Sequence, residues 1–159
     1  MISSRIPLLS IALITASACN PFRQKSAVEV SDTGAITASR WNATLTTPDA
    51  LTGVLQISGT AWIAPDSGRT LASVAISNAP PGGVHPWDVR QGQCGSNGAI
   101  FGPAAAYKPL VVQGDGTARA QARVDLPLPS SGSYYVNVHA SSKNMATIIA
   151  CGNLAPPSR

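Results

Sequence analysis

The chain has 159 residues, of which only 11% are charged, and its formal net charge is +4. This length allows one domain with a sizeable hydrophobic core. The basic residues are scattered, so the sequence shows no basic patch of the kind that binds nucleic acid, and we expect no nucleic-acid partner. Gly (14) and Pro (13) are frequent and no long segment has helical periodicity, which favours short strands joined by turns.

The first 18 residues have the features of an export signal. Arg5 precedes the short apolar run 6–14, which cannot span a bilayer, and small residues then lead to Cys19. This arrangement resembles the bacterial lipoprotein signal, in which the cysteine is acylated and becomes the mature N-terminus. The resemblance implies a lipid anchor at Cys19; ordinary cleavage before this residue, which would leave a free thiol, is the alternative.

Residue 20 bears on the location of such an anchor. Asn20 stands where an aspartate would retain a lipoprotein in the inner membrane, so the resemblance implies the outer membrane of the bacterial cell envelope, facing the periplasm. The polar segment 19–34 is expected to be a tether between the membrane and a domain at 35–154. Residues 155–159 would then be a short C-terminal tail.

Alternating apolar and polar residues predict strands through the rest of the chain. The segment 117–124 has alanine or valine at every even position, and the segment 134–139 alternates apolar residues with Tyr135, Asn137 and His139. Roughly eight antiparallel strands at this spacing favour an all-β Greek-key barrel or sandwich that is nearly free of helix. Other β-rich segments are 35–45, 53–64 and 71–78, and turn signals lie at 47–49, 65–68 and 114–116.

Several motifs recur in the order known from one protein family. They lie at residues 82–94, 102–103, 107–110 and 148–152, and they read G-x-H-x-x-x-V-x-x-G-x-C, G-P, Y-K-P-L and I-I-A-C-G. These motifs resemble the copper-binding strand, the first long loop and the C-terminal strand of the Cu,Zn superoxide dismutase family. The likeness spans about residues 36–154 and implies the Greek-key barrel of that family. The segment 135–139 also resembles, more briefly, the V-N-V-H strand of CHRD domains, which are extracellular β-modules.

Two cysteines fall within these motifs. The resemblance implies a disulfide between Cys94 and Cys151, which would tie the long loop to the last strand. Export to an oxidising compartment permits such a bond. Two unlinked buried thiols are the alternative.

Most positions that bind metal in that family are occupied by other residues here. Matched residue by residue, Asp88 and Arg90 take the places of two copper-binding histidines, and Ala106 takes the place of the histidine that bridges copper and zinc. A guanidinium offers no lone pair to a metal ion. His139 matches the remaining copper ligand, and the segment 111–115 is too short to contain the zinc-binding loop. The comparison therefore predicts a barrel without a cofactor.

The histidines and their neighbours have more than one interpretation. His85 matches a histidine that braces the copper strand, and we expect an inward, hydrogen-bonded position for it. His139 is expected to face solvent, whereas the alternative is a weak copper site formed by His139, Met145 and Asp88. Asp88 and Arg90 are two residues apart on one strand face, so the sequence predicts that they pair with each other or with neighbouring residues.

No other catalytic motif is present in the sequence. The two histidines lie on different predicted strands, and the chain has neither a nucleophile-elbow nor a phosphate-binding glycine motif. We therefore expect a non-catalytic envelope module whose partner is the membrane, reached through Cys19, and the sequence specifies no protein partner. The alternatives are a copper-binding protein and a residual superoxide dismutase that uses His139.

Overall fold

The computed structural model describes residues 40–157. The predicted export signal, Cys19 and the tether lie outside these residues. The described residues form an all-β fold with two short 3₁₀ helices, Asp49–Leu51 and Ala104–Ala106. No helix within this part of the chain has the length and apolar character needed to cross a membrane. The strands are β1 (Trp41–Thr46), β2 (Ser58–Asp66), β3 (Arg69–Ser77), β4 (Val84–His85), β5 (Trp87–Gln91), β6 (Leu110–Val111), β7 (Ala118–Val124), β8 (Tyr134–Ser141) and β9 (Asn144–Leu154).

Seven of these strands form one antiparallel sheet that curls into a half-barrel. Its order is β5-β8-β9-β1-β2-β3-β7, and β4 pairs separately with β6. Pro86, which has no backbone N–H, separates β4 from β5. The all-β prediction with almost no helix is confirmed.

The turn predicted at 65–68 is a two-residue link between β2 and β3. Ser67 and Gly68 have φ angles of 48° and 82°, and they connect Asp66 directly to Arg69. Two consecutive positive φ angles are typical of a type I′ hairpin turn, whose twist matches that of the flanking strands. The hairpin fixes the register of β2 and β3.

One predicted strand begins later than its sequence suggests. The segment 53–64 was expected to be extended, but β2 starts only at Ser58. The carbonyl of Leu51 accepts hydrogen bonds from the backbone N–H groups of both Val54 (2.9 Å) and Leu55 (2.8 Å), which keeps this part of the chain in a turn. Of the predicted strand 35–45, the part from Trp41 is confirmed and residues 35–39 lie outside the described part of the chain.

The hydrophobic core lies inside the half-barrel. The segment 98–112 crosses its open side: Phe101 donates a backbone hydrogen bond to Val89 on β5 (2.8 Å), and Gly102 packs against Val124 on β7. This segment also contributes Tyr107, whose ring meets that of Trp87 edge to face at 5.1 Å. The core includes Leu45, Ile63, Val74, Val89, Leu110, Val124, Val136 and Val138, all at most 1% exposed.

Candidate functional site

The candidate site lies on the face of β5 and β8 that points away from this core. Asp88 is paired with Asn137, and Arg90 is paired with Tyr135, in the antiparallel register of these strands. Strand alternation places the four side chains on one face, together with that of His139. We call Asp88, Arg90 and His139 the polar cluster.

Arg90 and Asp88 form a bidentate ion pair. The Arg90 Nε and Nη2 atoms donate hydrogen bonds to Asp88 Oδ1 and Oδ2, both at 2.9 Å. Arg90 Nη1 also donates to the carbonyl of Gly98 at 3.2 Å. Of the two pairings that the sequence allowed, the structure shows the one between Asp88 and Arg90, and its two-pronged geometry is the strong form of an arginine–carboxylate contact.

His139 is buried, and the expectation that it faces solvent is wrong. It is 2% exposed, and its Nδ1 lies 2.7 Å from the carbonyl oxygen of Met145, while its Nε2 lies 3.3 Å from Asp88 Oδ2. Register shifts on either side of His139 distort the β8–β9 ladder there. A carbonyl and a carboxylate only accept hydrogen bonds, so the two contacts are satisfied together only when both ring nitrogens carry a proton.

The polar cluster favours a negative charge on Asp88. Burial raises the pKa of Asp88, but hydrogen bonds and positive charge from His139 and Arg90 more than offset this, and the pKa lies below its ordinary value of 3.8. The same hydrogen bond to Asp88 raises the pKa of Arg90. A buried carboxylate is therefore enclosed by groups that donate to it.

A loop held by the disulfide covers the polar cluster. Cys94 and Cys151 form the predicted bond, with Cα atoms 6.0 Å apart, and the Cys94 N–H donates to Asn153 Oδ1 at 2.8 Å. The loop continues from this anchor to Ser96, whose carbonyl accepts a hydrogen bond from the hydroxyl of Tyr135. It then reaches Gly98, whose carbonyl accepts the hydrogen bond from Arg90. Non-local contacts of this kind explain why an outward-facing strand surface is buried.

His85 occupies the inward, hydrogen-bonded position predicted for it. It is 9% exposed, and its Nδ1 donates to the carbonyls of His139 (3.2 Å) and Ala140 (2.9 Å). The Nε2 atom is buried without a hydrogen-bond partner among the described residues. It faces Gly83, where an added Cβ would lie 2.5 Å away. His85 thus ties β4 to β8 through the main chain and contacts the backbone of His139 rather than its ring.

The residues at this site do not match the needs of a copper ion. Both ring nitrogens of His139 contact acceptors, the guanidinium of Arg90 lies beside the only carboxylate in the cluster, and Ala106 has no donor atom. Met145, which is 42% exposed, contacts the His139 ring through its backbone carbonyl oxygen. Among the residues that the structure describes, no group of three or more His, Cys, Asp or Glu side chains is arranged to hold a metal.

Three further buried residues at the site were not singled out by the sequence. Tyr107 donates its hydroxyl proton to the carbonyl of Phe101 at 2.6 Å, and burial together with the negative charge of Asp88 raises its pKa. Tyr135 is fully buried, and Asn137 has an Oδ1 atom with no hydrogen-bond partner in the described part of the chain. Tyr107 lies within the Y-K-P-L motif, which was the signal available for it.

Comparison of the sequence with protein-family models gives no match, and comparison with curated proteins gives none either. Inferences about function therefore depend on the geometry of the described residues.

Proposed function

We propose that this protein is a non-catalytic envelope module, a Greek-key barrel like that of the Cu,Zn superoxide dismutases, held by a lipid on Cys19 at the periplasmic face of the bacterial outer membrane. The observation that carries the proposal is the bidentate contact of Arg90 with Asp88, extended by His139. An ion cluster occupies the strand face that the family uses for copper. The barrel then acts as a structural or binding module.

The strand order supports the Greek-key part of the proposal. β9 lies beside β1 and β3 lies beside β7, so neighbouring strands in the sheet are in several places far apart in the chain. Long connections that return a strand to a distant neighbour are typical of Greek-key folds. The disulfide that fastens the loop after β5 to β9 agrees with the resemblance noted in the sequence.

The chemistry of the polar cluster supports the absence of metal catalysis. A copper ion bound at His139 Nε2 would have to displace the contact with Asp88 and remove the proton that serves it, because metal ligands must be deprotonated. The ion would also lie close to the permanent positive charge of Arg90. The exchange therefore loses a buried polar contact before any ligand bond is counted.

Copper binding by the purified protein tests this proposal against its main alternative. Equilibrium dialysis with Cu(II) and a weak competing chelator, followed by a superoxide assay, would be performed on the wild-type chain and on His139→Gln. We expect no stoichiometric copper, no rapid dismutation and no difference between the two chains. One copper per chain that disappears in His139→Gln would overturn the proposal in favour of a copper-binding protein, and rapid dismutation in favour of an enzyme.

The membrane anchor requires a separate test. Metabolic labelling with a fatty acid should mark the wild-type chain and a Cys94→Ser control, and it should not mark Cys19→Ser. Equal labelling of all three chains, or of none, would refute acylation at Cys19.

A further inference from the structure

A shallow trough crosses the outer surface of the sheet at β2, β3 and β7, away from the polar cluster. Two rows of paired residues form it: Trp62–Ser73–Gln121 and Thr60–Ala75–Arg119. The central strand β3 contributes small side chains to both rows, whereas three of the four residues on its neighbours are large and the fourth is Thr60. The result is a groove of about 390 Å³ with Ser73 and Ala75 as its floor and Trp62, Arg119 and Gln121 as its walls.

The trough combines a flat aromatic surface with several neutral hydrogen-bonding groups. Trp62 is partly exposed, and Arg40 lies over its ring at 5.2 Å while donating to Asn42 Oδ1 at 2.9 Å. The walls rise from β2 and β7, whose backbones are two strand spacings, or about 10 Å, apart, which limits the width of the trough to about one sugar ring. The C–H groups of a pyranose can pack against the part of the indole that Arg40 leaves exposed, and its hydroxyls can bond to hydroxyl and amide side chains.

Two arginines at the trough form no ion pair with a described residue: Arg119 in its wall and Arg40 over the Trp62 ring. Two other arginines on these strands are paired: Arg69 on β3 contacts Asp125 at 3.7 Å, and Arg123 on β7 contacts Asp66 at 3.1 Å. Arg119 forms no ion pair or side-chain hydrogen bond with any described residue, and it is the one charged residue that lines the trough. A guanidinium of this kind recognises a carboxylate through paired hydrogen bonds.

From these features we infer that the trough binds an acidic saccharide, a chain of hydroxyl-rich rings with about one carboxylate per ring. Nucleic acid is a poorer match, because its affinity depends on many cations that neutralise successive phosphates, and the trough has only Arg119 and the adjacent Arg40. A lipid surface is also a poorer match. None of the exposed large aliphatic residues among the described residues, such as Val54, Val84 and Val111, lines the trough. The inference does not depend on the absence of copper from the polar cluster.

Fluorescence of the full chain offers a direct assay. Of the three tryptophans, Trp41 and Trp87 are buried at 4% and 2% exposure, so a ligand in the trough perturbs the emission of Trp62. The probe is an oligogalacturonate, and its fully methyl-esterified form is the neutral control. We expect the acidic oligomer to change the emission and to bind at least about tenfold more tightly than the ester, since the ester loses the charge-assisted hydrogen bonds.

Variants separate the trough from general surface charge. Arg119→Gln is expected to weaken oligogalacturonate binding by about tenfold. Arg123→Gln, which removes the same charge from the same strand outside the trough, is expected to change affinity by less than about threefold. Titration calorimetry measures both, and it also measures Trp62→Ala, whose fold is checked by thermal unfolding and for which we expect a loss as large as that of Arg119→Gln.

Several results would overturn the inference. They are no binding of the oligogalacturonate, equal binding of the ester, equal losses in Arg119→Gln and Arg123→Gln, or tighter binding of a thymidine oligonucleotide or of phosphatidylglycerol vesicles. A copper-binding protein could still show the expected saccharide binding, so failure here and failure of the proposed function are distinguishable.

Discussion

The substitution Asp88→Asn tests whether the polar cluster stabilises the fold as its geometry indicates. The Asp88 side chain is 4% exposed and accepts two hydrogen bonds from Arg90 and one from His139. Asparagine has nearly the same shape, but its amide group turns an N–H donor toward one of these donors. The variant therefore leaves a buried positive group without its counter-charge and without one of its acceptors.

The size of the effect follows from the burial of the two partners. Truncating one side of a buried ion pair costs about 3–5 kcal/mol. The Arg90 side chain is 21% exposed, and water hydrates part of the charge that the variant uncovers, so we expect the lower end of this range, about 3 kcal/mol. With a urea dependence of about 1.5 kcal/mol/M, the unfolding midpoint would fall by about 2 M.

The pH dependence of this difference gives a second, independent signature. The folded-state pKa of Asp88 is depressed below 3.8, so its contribution to stability is present above the unfolded-state pKa and is lost as the pH falls through the folded-state pKa. The gap in the free energy of unfolding between wild type and Asp88→Asn should therefore be largest near neutral pH and should narrow below about pH 4.

A surface aspartate provides the matched control. Asp125 contacts Arg69 at 3.7 Å with its side chain 82% exposed, and Asp125→Asn should change stability by less than about 1 kcal/mol. Urea unfolding followed by circular dichroism measures all three proteins. An unchanged midpoint for Asp88→Asn, or a gap that is the same at pH 3 and pH 7, would refute this account of the polar cluster.

Three further predictions concern residues around the site. Because the pKa of Tyr107 is raised above its ordinary value of 10.0, its contribution to stability is complete below pH 10 and is lost as the pH rises further. The urea midpoint of the wild type should therefore fall between pH 8 and pH 11, and the midpoint of Tyr107→Phe should fall by less. An identical fall in the two proteins would contradict the raised pKa. The double variant Cys94→Ser/Cys151→Ser opens a crosslink across 57 residues and should lose about 4 kcal/mol of stability in urea unfolding. An unaltered midpoint, or thiols at Cys94 and Cys151 that react with a labelling reagent in the oxidised wild type, would count against the bond. Gly98→Ala places a Cβ 1.6 Å from the backbone oxygen of Gln91 on β5 and should cost about 2–3 kcal/mol of stability. Gly53→Ala, with nothing within 4 Å of its Cβ, should be close to neutral in the same assay. Equal effects would show that the loop around Gly98 moves to accommodate the Cβ at little cost.

The elements that were predicted correctly are those whose signal is local. Alanine or valine at each even position of 117–124 matches the buried face of β7, and the two-residue turn at Ser67 and Gly68 lies inside the segment 65–68. The buried face of β7 and the turn between β2 and β3 both depend on residues that are neighbours in the chain. The late start of β2 depends instead on hydrogen bonds to Leu51, which alternation alone does not reveal.

The candidate site was only partly predictable for the same reason. Alternation assigns Asp88 and Arg90 to one strand face, and their ion pair follows from a separation of two residues. Alternation also assigns His139 to the outward face, but it carries no information about what covers that face. The cover comes from the carbonyl of Met145 across a distorted hairpin and from the loop that reaches Gly98, both set by tertiary structure. Burial of an outward strand face is thus a property of loops, not of the strand sequence.

The polar cluster and the trough lie on different parts of the sheet, and this separation makes their roles independently testable. Asp88 belongs to the edge strand β5, whereas Arg119 belongs to the opposite edge strand β7, with five strands between them in the sheet order. The two residues share no partner, so their effects on stability should add within about 0.5 kcal/mol in the double variant Asp88→Asn/Arg119→Gln. If the cluster serves only to stabilise the fold, Asp88→Asn will bind the oligogalacturonate as the wild type does under conditions where it remains folded. A loss of saccharide binding in folded Asp88→Asn would instead show that the two faces are coupled through the core, and the cluster would then be part of the binding module rather than its support.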